Sequence, residues 1–196
     1  MTKAPPVNIA IFASGAGSNA KKIIDYFRND SRIKVALIVS DQPNAGVLQI
    51  AREENLPILE LQKERFFNGD AYLPEFIQFN ISFIVLAGFM RKIPGKLIAA
   101  YTRKIVNIHP ALLPGFGGKG MYGSRVHEAV LKAGEKESGI TIHYVDEVYD
   151  KGEVIFQEKC KIEEGETADT LANKIHIIEH ACYPEVIEKV ILEQFI

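Results

Sequence analysis

Two polar residues, Asn107 and His109, carry the strongest chemical signal in this sequence. They alternate with Val106 and Ile108, so on a β-strand the polar pair shares one face and the apolar pair shares the other. Pro110 cannot continue a central strand, which puts the polar pair at a strand's carboxyl end, where open α/β sheets keep their ligand crevice. An amide N–H stabilises a developing oxyanion and an imidazole moves protons, so the pair predicts acyl-type transfer. No activated Ser or Cys accompanies the pair, which favours direct attack by a substrate amine or by water.

A glycine-rich loop at residues 15–19 follows a buried apolar run and precedes a helical pattern. At a strand-to-helix junction such a loop aims backbone N–H groups and a helix N-terminus at the crevice, which predicts a phosphate site. Two other interpretations stay open at this point. The loop can be a plain turn in which Ser18 or Asn19 caps the helix. Alternatively, Gly15 and Gly17 satisfy the dinucleotide fingerprint with Asp41 as the ribose acid, which would indicate a dinucleotide-dependent oxidoreductase.

Asp150 lies in a charged, glycine-containing stretch between two predicted strands. Taken alone, it is a turn carboxylate with a solvated face. If its loop folds over the strand end, we expect its charge to favour the imidazolium of His109 and to raise that pKa, which would make His109 an effective acid near neutrality.

A predicted C-terminal helix contains a short metal-like pattern, because His176, Glu179 and His180 match the H-x-x-E-H arrangement of some zinc enzymes. Two histidines four positions apart share a helix face, but a catalytic zinc needs a third protein ligand and only residues 181–196 follow. We therefore expect no metal. Cys160 and Cys182 lack the spacing of metal or redox pairs, and we expect both to be reduced, packed thiols.

The order of apolar runs predicts the elements that position these residues. Runs with intervening helical patterns indicate an α/β fold with a doubly wound, mostly parallel sheet and helices on both faces. The predicted parallel strands lie at residues 7–13, 33–39, 58–61, 83–87 and around Asn107 and His109. Residues 139–145 and 154–162 predict two added strands joined by the loop of Asp150, and residues 167–194 predict a long helix with a kink or break at Pro184.

Bulk properties limit the classes of partner. A length of 196 residues and an apolar fraction of 47% suit one globular domain over 1–196, with a phosphate-binding half at 1–110 and a completing half at 111–196. A net charge of -2 without a basic cluster argues against nucleic acid, and no apolar run is long enough for a membrane span. We expect a cytoplasmic protein with small-molecule substrates, a monomer or weak homodimer, whose flexible segment 115–123 lies over the site.

Four segments together resemble the folate-dependent formyltransferases, and among them the phosphoribosylglycinamide formyltransferase family. They are SGAGSN at 14–19, LAGFMR at 86–91, NIHPALLP at 107–114, and the run from 139 to 155 that includes Asp150 and Gly152. The resemblance covers nearly the whole chain and implies a Rossmann-like formyltransferase fold. It further implies transfer of a formyl group from 10-formyltetrahydrofolate, as co-substrate, to the amine of 5'-phosphoribosylglycinamide in purine biosynthesis, without a metal.

The resemblance also assigns roles to individual positions. It implies that Gly17, Ser18 and Asn19 hold the ribonucleotide phosphate and that Glu179 contacts the ribose. It implies a catalytic trio, in which Asn107 and His109 stabilise the oxyanion and Asp150 supports His109 as the acid for the leaving folate nitrogen. The implied folate-binding residues are Met90, Arg91, Lys92, Ile93, Asn107 and Arg65.

The chain departs from the family pattern at two contacts. A basic residue on the folate side is replaced by Gly69, which leaves Arg65 as the nearby candidate, and a phosphate-side Lys or Gln is replaced by His176. A dinucleotide-dependent oxidoreductase using Gly15, Gly17 and Asp41 remains the alternative from another class. It accounts for the glycine loop but gives the catalytic trio no joint role.

Overall fold

The computed structural model describes residues 5–195, and this part of the chain contains seven strands and seven helices. Residues 1–4 and 196 of the predicted single domain lie outside the described residues. The strands are β1 (Val7–Phe12), β2 (Ile33–Ser40), β3 (Ile58–Glu60), β4 (Ile81–Leu86), β5 (Ile105–His109), β6 (Glu137–Tyr144) and β7 (Val154–Lys161). The helices are α1 (Ser18–Phe27), α2 (Gly46–Glu53), α3 (Lys63–Asn68), α4 (Leu73–Gln78), α5 (Gly95–Ala100), α6 (Ser124–Lys132) and α7 (Ala168–Phe195).

All seven strands form one sheet in the order β3-β2-β1-β4-β5-β6-β7. The first five strands run parallel, and β6 and β7 are added antiparallel. The chain passes from β1 outward to β3 and then returns to β4 on the other side of β1, so the sheet has its topological switch point between β1 and β4. Open α/β sheets bind ligands at the carboxyl ends of the strands at such a point. The predicted fold class is confirmed.

Alternation along the central strands divides the core into two apolar layers. Ile9 and Ile11 of β1 face the layer formed with α1, α2, α6 and α7. Ala10 and Phe12 face the opposite layer, formed with α3, α4 and α5. Because burying one large apolar side chain contributes about 1.5–3 kcal/mol, the two layers together hold the strand ends rigidly in place. The sheet also continues across residue 110, since β5 pairs with β6, and the division into halves there stays a prediction.

The long helix α7 runs through Pro184, so of the predicted kink or break the break does not occur, while the kink stays a prediction. Proline removes one helical hydrogen bond, but this turn is packed in the core, where tertiary contacts outweigh that loss. The fully buried Tyr183 donates its hydroxyl to the carbonyl oxygens of Leu86 at 2.9 Å and Val106 at 3.3 Å. These bonds fix α7 against β4 and β5. In the described residues, α7 and the other helices are too short or too polar to cross a membrane.

Candidate active site

A cavity of about 720 Å³ opens at the carboxyl ends of β1, β4 and β5. Residues from five segments, from α6 and from one face of α7 line it, at 15–19, 86–93, 107–110, 118–124, 127, 143, 145, 146, 148–150, 172, 176 and 179. Every site residue predicted from the sequence lines this cavity except Arg65. The structure therefore brings together residues that are up to 162 positions apart in the chain, from Gly17 to Glu179.

Asn107, His109 and Asp150 meet at one wall of the cavity. The Asp150 carboxylate lies between two imidazoles, with Oδ2 3.7 Å from His109 Nδ1 and Oδ1 3.6 Å from His143 Nε2. The Asn107 amide nitrogen lies 3.1 Å from His143 Nε2, and His143 Nδ1 lies 2.8 Å from the Tyr144 carbonyl oxygen. This pattern assigns the His143 proton to Nδ1, so that Nε2 accepts one N–H of Asn107. The second N–H of Asn107 stays available to a ligand.

The predicted direction of the His109 pKa shift is wrong. His109 is 3% exposed, and burial lowers its pKa below the ordinary value of 6.5. The Asp150 charge and the Phe116 carbonyl oxygen act to raise the pKa but only partly offset the burial. At 3.7 Å the attraction of the Asp150 charge does not overcome the effect of burial on the pKa of His109. His109 is consequently a neutral imidazole at neutral pH in the free protein.

The loop that carries Asp150 is held in a constrained conformation. Asp150 has φ +54°, a left-handed backbone that costs energy in most non-glycine residues and often occurs at functional sites. A Cβ atom at Gly152 would overlap the Tyr144 carbonyl oxygen, so only glycine fits where the loop crosses the end of β6. Burial acts to raise the pKa of Asp150, but contacts with His143, the Gly118 N–H and His109 outweigh it and lower that pKa. Asp150 is therefore a carboxylate.

The flexible segment predicted at 115–123 lies against His109 and Asp150. The Gly118 N–H donates to Asp150 Oδ2 at 2.7 Å, and His109 Nε2 donates to the Phe116 carbonyl oxygen at 2.8 Å. Residues 118–123 complete the wall of the cavity. The predicted position of this segment is thus observed, while its predicted motion stays a prediction.

The glycine loop forms the opposite end of the cavity. Gly17 is the N-cap of α1 with φ +82°, and a Cβ there would come within 2.8 Å of the Val47 side chain, so this tight turn requires glycine. The Asn19 amide nitrogen donates to Glu179 Oε2 at 2.9 Å, and His176 Nδ1 donates to the same oxygen at 2.8 Å. The hydrogen bond to Glu179 raises the pKa of His176. His176 and the N-terminus of α1 line the same cavity, and the protonated form of this imidazole suits an anionic ligand there.

Two buried polar atoms at this end have no partner in the described residues, the Asn19 Oδ1 atom and the His127 Nδ1 atom. Buried polar groups in proteins are nearly always hydrogen-bonded, so these two atoms on the cavity wall are suited to bond a polar ligand. His127 is 3% exposed and was not singled out by the sequence argument. No motif on its helix marks His127 in the sequence.

The third part of the cavity is an apolar rim. Met90, Tyr122, Val148 and Tyr149 are large apolar side chains that stay 38–60% exposed, and all four line the mouth of the cavity. An exposed apolar patch around a cleft marks a binding surface. Arg65 lies outside this region, where its guanidinium pairs with Glu75 at 2.6 Å and with Asp70 at 3.3 Å.

The dinucleotide interpretation is not supported. Asp41, the proposed ribose acid, has a side chain only 2% exposed, and it binds Ser14, Arg91 and Gln42. It therefore has no free oxygen to offer a ribose. The H-x-x-E-H histidines stack on each other at 6.1 Å between ring centroids, and within residues 5–195 no three His, Cys, Asp or Glu side chains are disposed to hold a metal ion.

His143 is the other functional residue that the sequence argument missed. The sequence did contain a pattern that points to His143, since alternation along the predicted strand at 139–145 places Thr141 and His143 on one face. The register then pairs His143 with Asn107 across the antiparallel β5–β6 ladder. Predicting this contact required the strand pairing, which the sequence did not supply.

Comparison with known proteins gives consistent results. The formyl transferase family model matches residues 7–187. A chloroplastic phosphoribosylglycinamide formyltransferase of Arabidopsis thaliana is 38% identical over 91% of this chain, and this chain spans 63% of that protein's length. A Bacillus subtilis phosphoribosylglycinamide formyltransferase is 37% identical over 93% of both chains. The crystal structure of phosphoribosylglycinamide formyltransferase from Bacillus halodurans superposes with a TM-score of 0.84, at 37% identity over 94% of this chain and 95% of that one. The resemblance seen in the sequence is confirmed, and the chain belongs to the formyl transferase family, in its phosphoribosylglycinamide formyltransferase branch.

Proposed function

We propose that this protein transfers the formyl group of 10-formyltetrahydrofolate to the amine of 5'-phosphoribosylglycinamide in purine biosynthesis. One observation carries the proposal. A single cavity joins a glycine loop at a helix N-terminus to a cluster of Asn107, His109 and Asp150, which is the arrangement that a phosphorylated amine and an acyl donor require. The names of the relatives support the same reaction.

The glycine-loop end is proposed to bind the ribonucleotide. Backbone N–H groups at Gly17, Ser18 and Asn19 point along the N-terminus of α1, where the helix dipole favours a phosphate. The protonated form of His176 adds a cation in place of the lysine or glutamine of the family pattern. Glu179 is 4% exposed and held by Asn19, which positions its free oxygen for a ribose hydroxyl.

The apolar rim is proposed to bind the folate. A pterin and its attached aryl ring are flat and largely apolar, and Met90, Ile93, Tyr122, Val148 and Tyr149 offer matching surface. Arg91 and Lys92 also line the cavity and are proposed to contact the folate. Arg65 is already paired with two carboxylates, so the structure gives no support to it as a folate ligand.

Asn107 and His109 are proposed to carry the chemistry. As the substrate amine adds to the formyl carbon, the free N–H of Asn107 donates to the oxygen that becomes negatively charged. Neutral His109 accepts the proton that the amine loses, and the Asp150 carboxylate stabilises the resulting imidazolium. His109 then delivers this proton to the folate nitrogen as its bond to the formyl carbon breaks. The lowered pKa of His109 fits this sequence, because the neutral ring must act first as a base.

The cellular setting is proposed to be the cytoplasm, with the protein acting as a monomer or weak homodimer. Cys160 and Cys182 are both free thiols, which suits a reducing compartment.

The test is a folate-release assay with purified protein and 10-formyltetrahydrofolate, alone, with the ribonucleotide, and with methionyl-tRNA as a parallel acceptor. We expect release only with the ribonucleotide, and we expect Asn107→Ala to lower kcat by about 100-fold or more. Asn29→Ala, at an exposed asparagine, is the matched control and should leave kcat unchanged. Release without any acceptor would indicate a hydrolase, and release with the tRNA alone would indicate a different acceptor. Either result contradicts the proposal, as does an Asn107→Ala variant within a few-fold of the parent.

A further inference from the structure

Asp41 is a buried carboxylate that the proposed mechanism does not use. It follows β2 directly, and its side chain is 2% exposed. Its Oδ1 accepts the Ser14 hydroxyl at 2.6 Å, and its Oδ2 accepts Arg91 Nε at 2.6 Å and Gln42 Nε2 at 2.9 Å. A buried charge is costly unless it is paired and hydrogen-bonded, and here three donors satisfy it. Such a complete set of hydrogen-bond partners indicates that the Asp41 carboxylate has a structural or functional role.

The partners of Asp41 connect three strand ends. Ser14 follows β1, and its backbone N–H donates to the Gly88 carbonyl oxygen at 3.0 Å. Its hydroxyl accepts the Met90 N–H at 3.0 Å while donating to Asp41. Arg91 follows β4, so the carboxylate holds the 88–91 segment through one backbone group and one side chain. These strand ends flank the topological switch point.

The 88–91 segment has few other constraints on the side of the cavity. Phe89 points into the core, where its ring packs edge-on against Phe12 with centroids 5.3 Å apart. Gly88 has φ +76° with no atom near its Cβ position, and Met90 is 47% exposed. Phe89 thus anchors the segment from below, and the bonds to Ser14 and Asp41 set the direction of Met90 and Arg91.

We propose that Asp41 is a positioning residue that presets the 88–91 segment to receive the folate co-substrate. This inference rests on the proposed function, since Met90 and Arg91 form the proposed folate wall. A buried ion pair with short contacts is rigid, so the free protein already holds the segment in one conformation. Binding then costs less ordering, which lowers KM for the folate without changing the chemical step.

The first test is a kinetic comparison of Asp41→Asn with the parent. Asparagine keeps the shape of the side chain. It removes the negative charge that holds Arg91, and it removes the second strong acceptor, Oδ2. We expect KM for 10-formyltetrahydrofolate to rise about tenfold, with kcat and KM for the ribonucleotide each within about twofold. Asp25→Asn is the matched control, because Asp25 pairs with Lys21 and Arg28 on the exposed face of α1, and it should change none of the three. An unchanged folate KM overturns the proposal, and so does a parallel loss in both KM values and kcat.

The second test is a double-mutant cycle with Arg91→Gln. If Asp41 acts through Arg91, the double variant should have a folate KM no higher than that of the worse single variant. Independent, multiplying effects would overturn this route. If Asp41→Asn proves unstable, Ser14→Ala removes the second link while keeping the ion pair, and it should raise the folate KM by a smaller factor in the same direction. A Ser14→Ala variant identical to the parent would overturn the relay through the serine.

The third test does not depend on turnover. In hydrogen–deuterium exchange, the Met90 amide should exchange faster in Asp41→Ala than in the parent or in Asp25→Ala, because the Ser14 hydroxyl that accepts it and the Arg91 guanidinium both lose their partner. Equal exchange in all three proteins overturns the positioning role. If the parent protein releases no folate product under any condition, the proposed function fails, yet the exchange result still decides whether Asp41 fixes this segment.

Discussion

Two buried aspartates lie at the same edge of the sheet, and their partners make them different kinds of site. Asp41 binds a guanidinium and a hydroxyl at 2.6 Å each. Asp150 faces two imidazoles at 3.6 and 3.7 Å and accepts the Gly118 N–H at 2.7 Å. A guanidinium keeps its charge at every ordinary pH, whereas an imidazole gains and loses its proton near neutrality.

The difference shows how a buried carboxylate is used in each place. Short bonds to a permanent cation fix geometry and leave nothing to change during a reaction. Longer contacts to titratable rings leave room for a proton to arrive and depart, and the carboxylate charge is felt most when the ring becomes protonated. Asp41 therefore suits positioning, and Asp150 suits chemistry.

The largest expected effect separates the two aspartates directly. Asp150→Asn removes the charge that stabilises protonated His109, so we expect kcat to fall by about 100-fold or more while both KM values change little. Asp41→Asn should do the reverse. Steady-state kinetics on both variants make the comparison, with circular dichroism to confirm that each is folded. If Asp150→Asn changes only KM, the contrast between the two sites is broken.

A smaller effect concerns the backbone that holds Asp150. In Gly152→Ala the new methyl group would overlap the Tyr144 carbonyl oxygen, so the loop must shift. We expect the free energy of unfolding to fall by about 2 kcal/mol and kcat to fall about tenfold, as measured by urea titration and by assay. Gly15→Ala is the matched control for stability, because its Cβ has open space, and it should stay within about 0.5 kcal/mol. Equal stability of the two variants would contradict the constrained loop.

The smallest effect is on pH dependence. The pKa of His109 in the folded state lies below its unfolded value of 6.5. Between these two pKa values, the unfolded chain binds more protons than the folded chain. The free energy of unfolding should therefore fall as pH falls through 6.5 toward the folded pKa, and be independent of His109 above 6.5. Subtracting the profile of His109→Asn isolates this residue from His127, whose pKa is also lowered by burial, and from His176, whose pKa is raised.

Proton titration of His109 by NMR checks the same point without assuming a mechanism. We expect the midpoint of the His109 titration to lie below pH 6.5. Folate binding to the 88–91 segment, measured over the same pH range, should show no transition that follows His109 protonation. A midpoint above 6.5 would show that Asp150 outweighs burial and would restore the shift predicted from the sequence.

Much of the fold was predictable because the buried strands read as apolar runs. The first five strands, their parallel pairing and the two added strands follow from that pattern and from the glycine loop. The short helix α3 was missed, since six residues with one buried side chain, Phe66, show no periodicity. A kink or break was predicted at Pro184 from a local rule, and the break does not occur because core packing overrides that rule.

The site residues that belong to a sequence motif were predictable. The contacts and pKa shifts that depend on distances between separate segments were not. Asn107, His109 and Asp150 were identified from residue type and position. The sign of the His109 shift depended on burial against a 3.7 Å separation, and neither quantity is written in the sequence. The pairing of Arg65 with Glu75 and the relay from Asp41 to Met90 likewise depend on contacts between distant segments.

The bonds from Tyr183 to β4 and β5 have a consequence for the order of assembly. Within the described residues, the hydrogen bonds and ion pairs of Asn107, His109 and Asp150 run to β5, β6 and the neighbouring loops, whereas Glu179 reaches Asn19 only when α7 is docked. A chain with α7 undocked would lack the residue proposed to contact the ribose. Such a chain could not hold the acceptor, so formyl-transfer activity would appear only when folding is complete. The hydrogen bonds of buried Tyr183, which dock α7, would then couple the end of folding to activity.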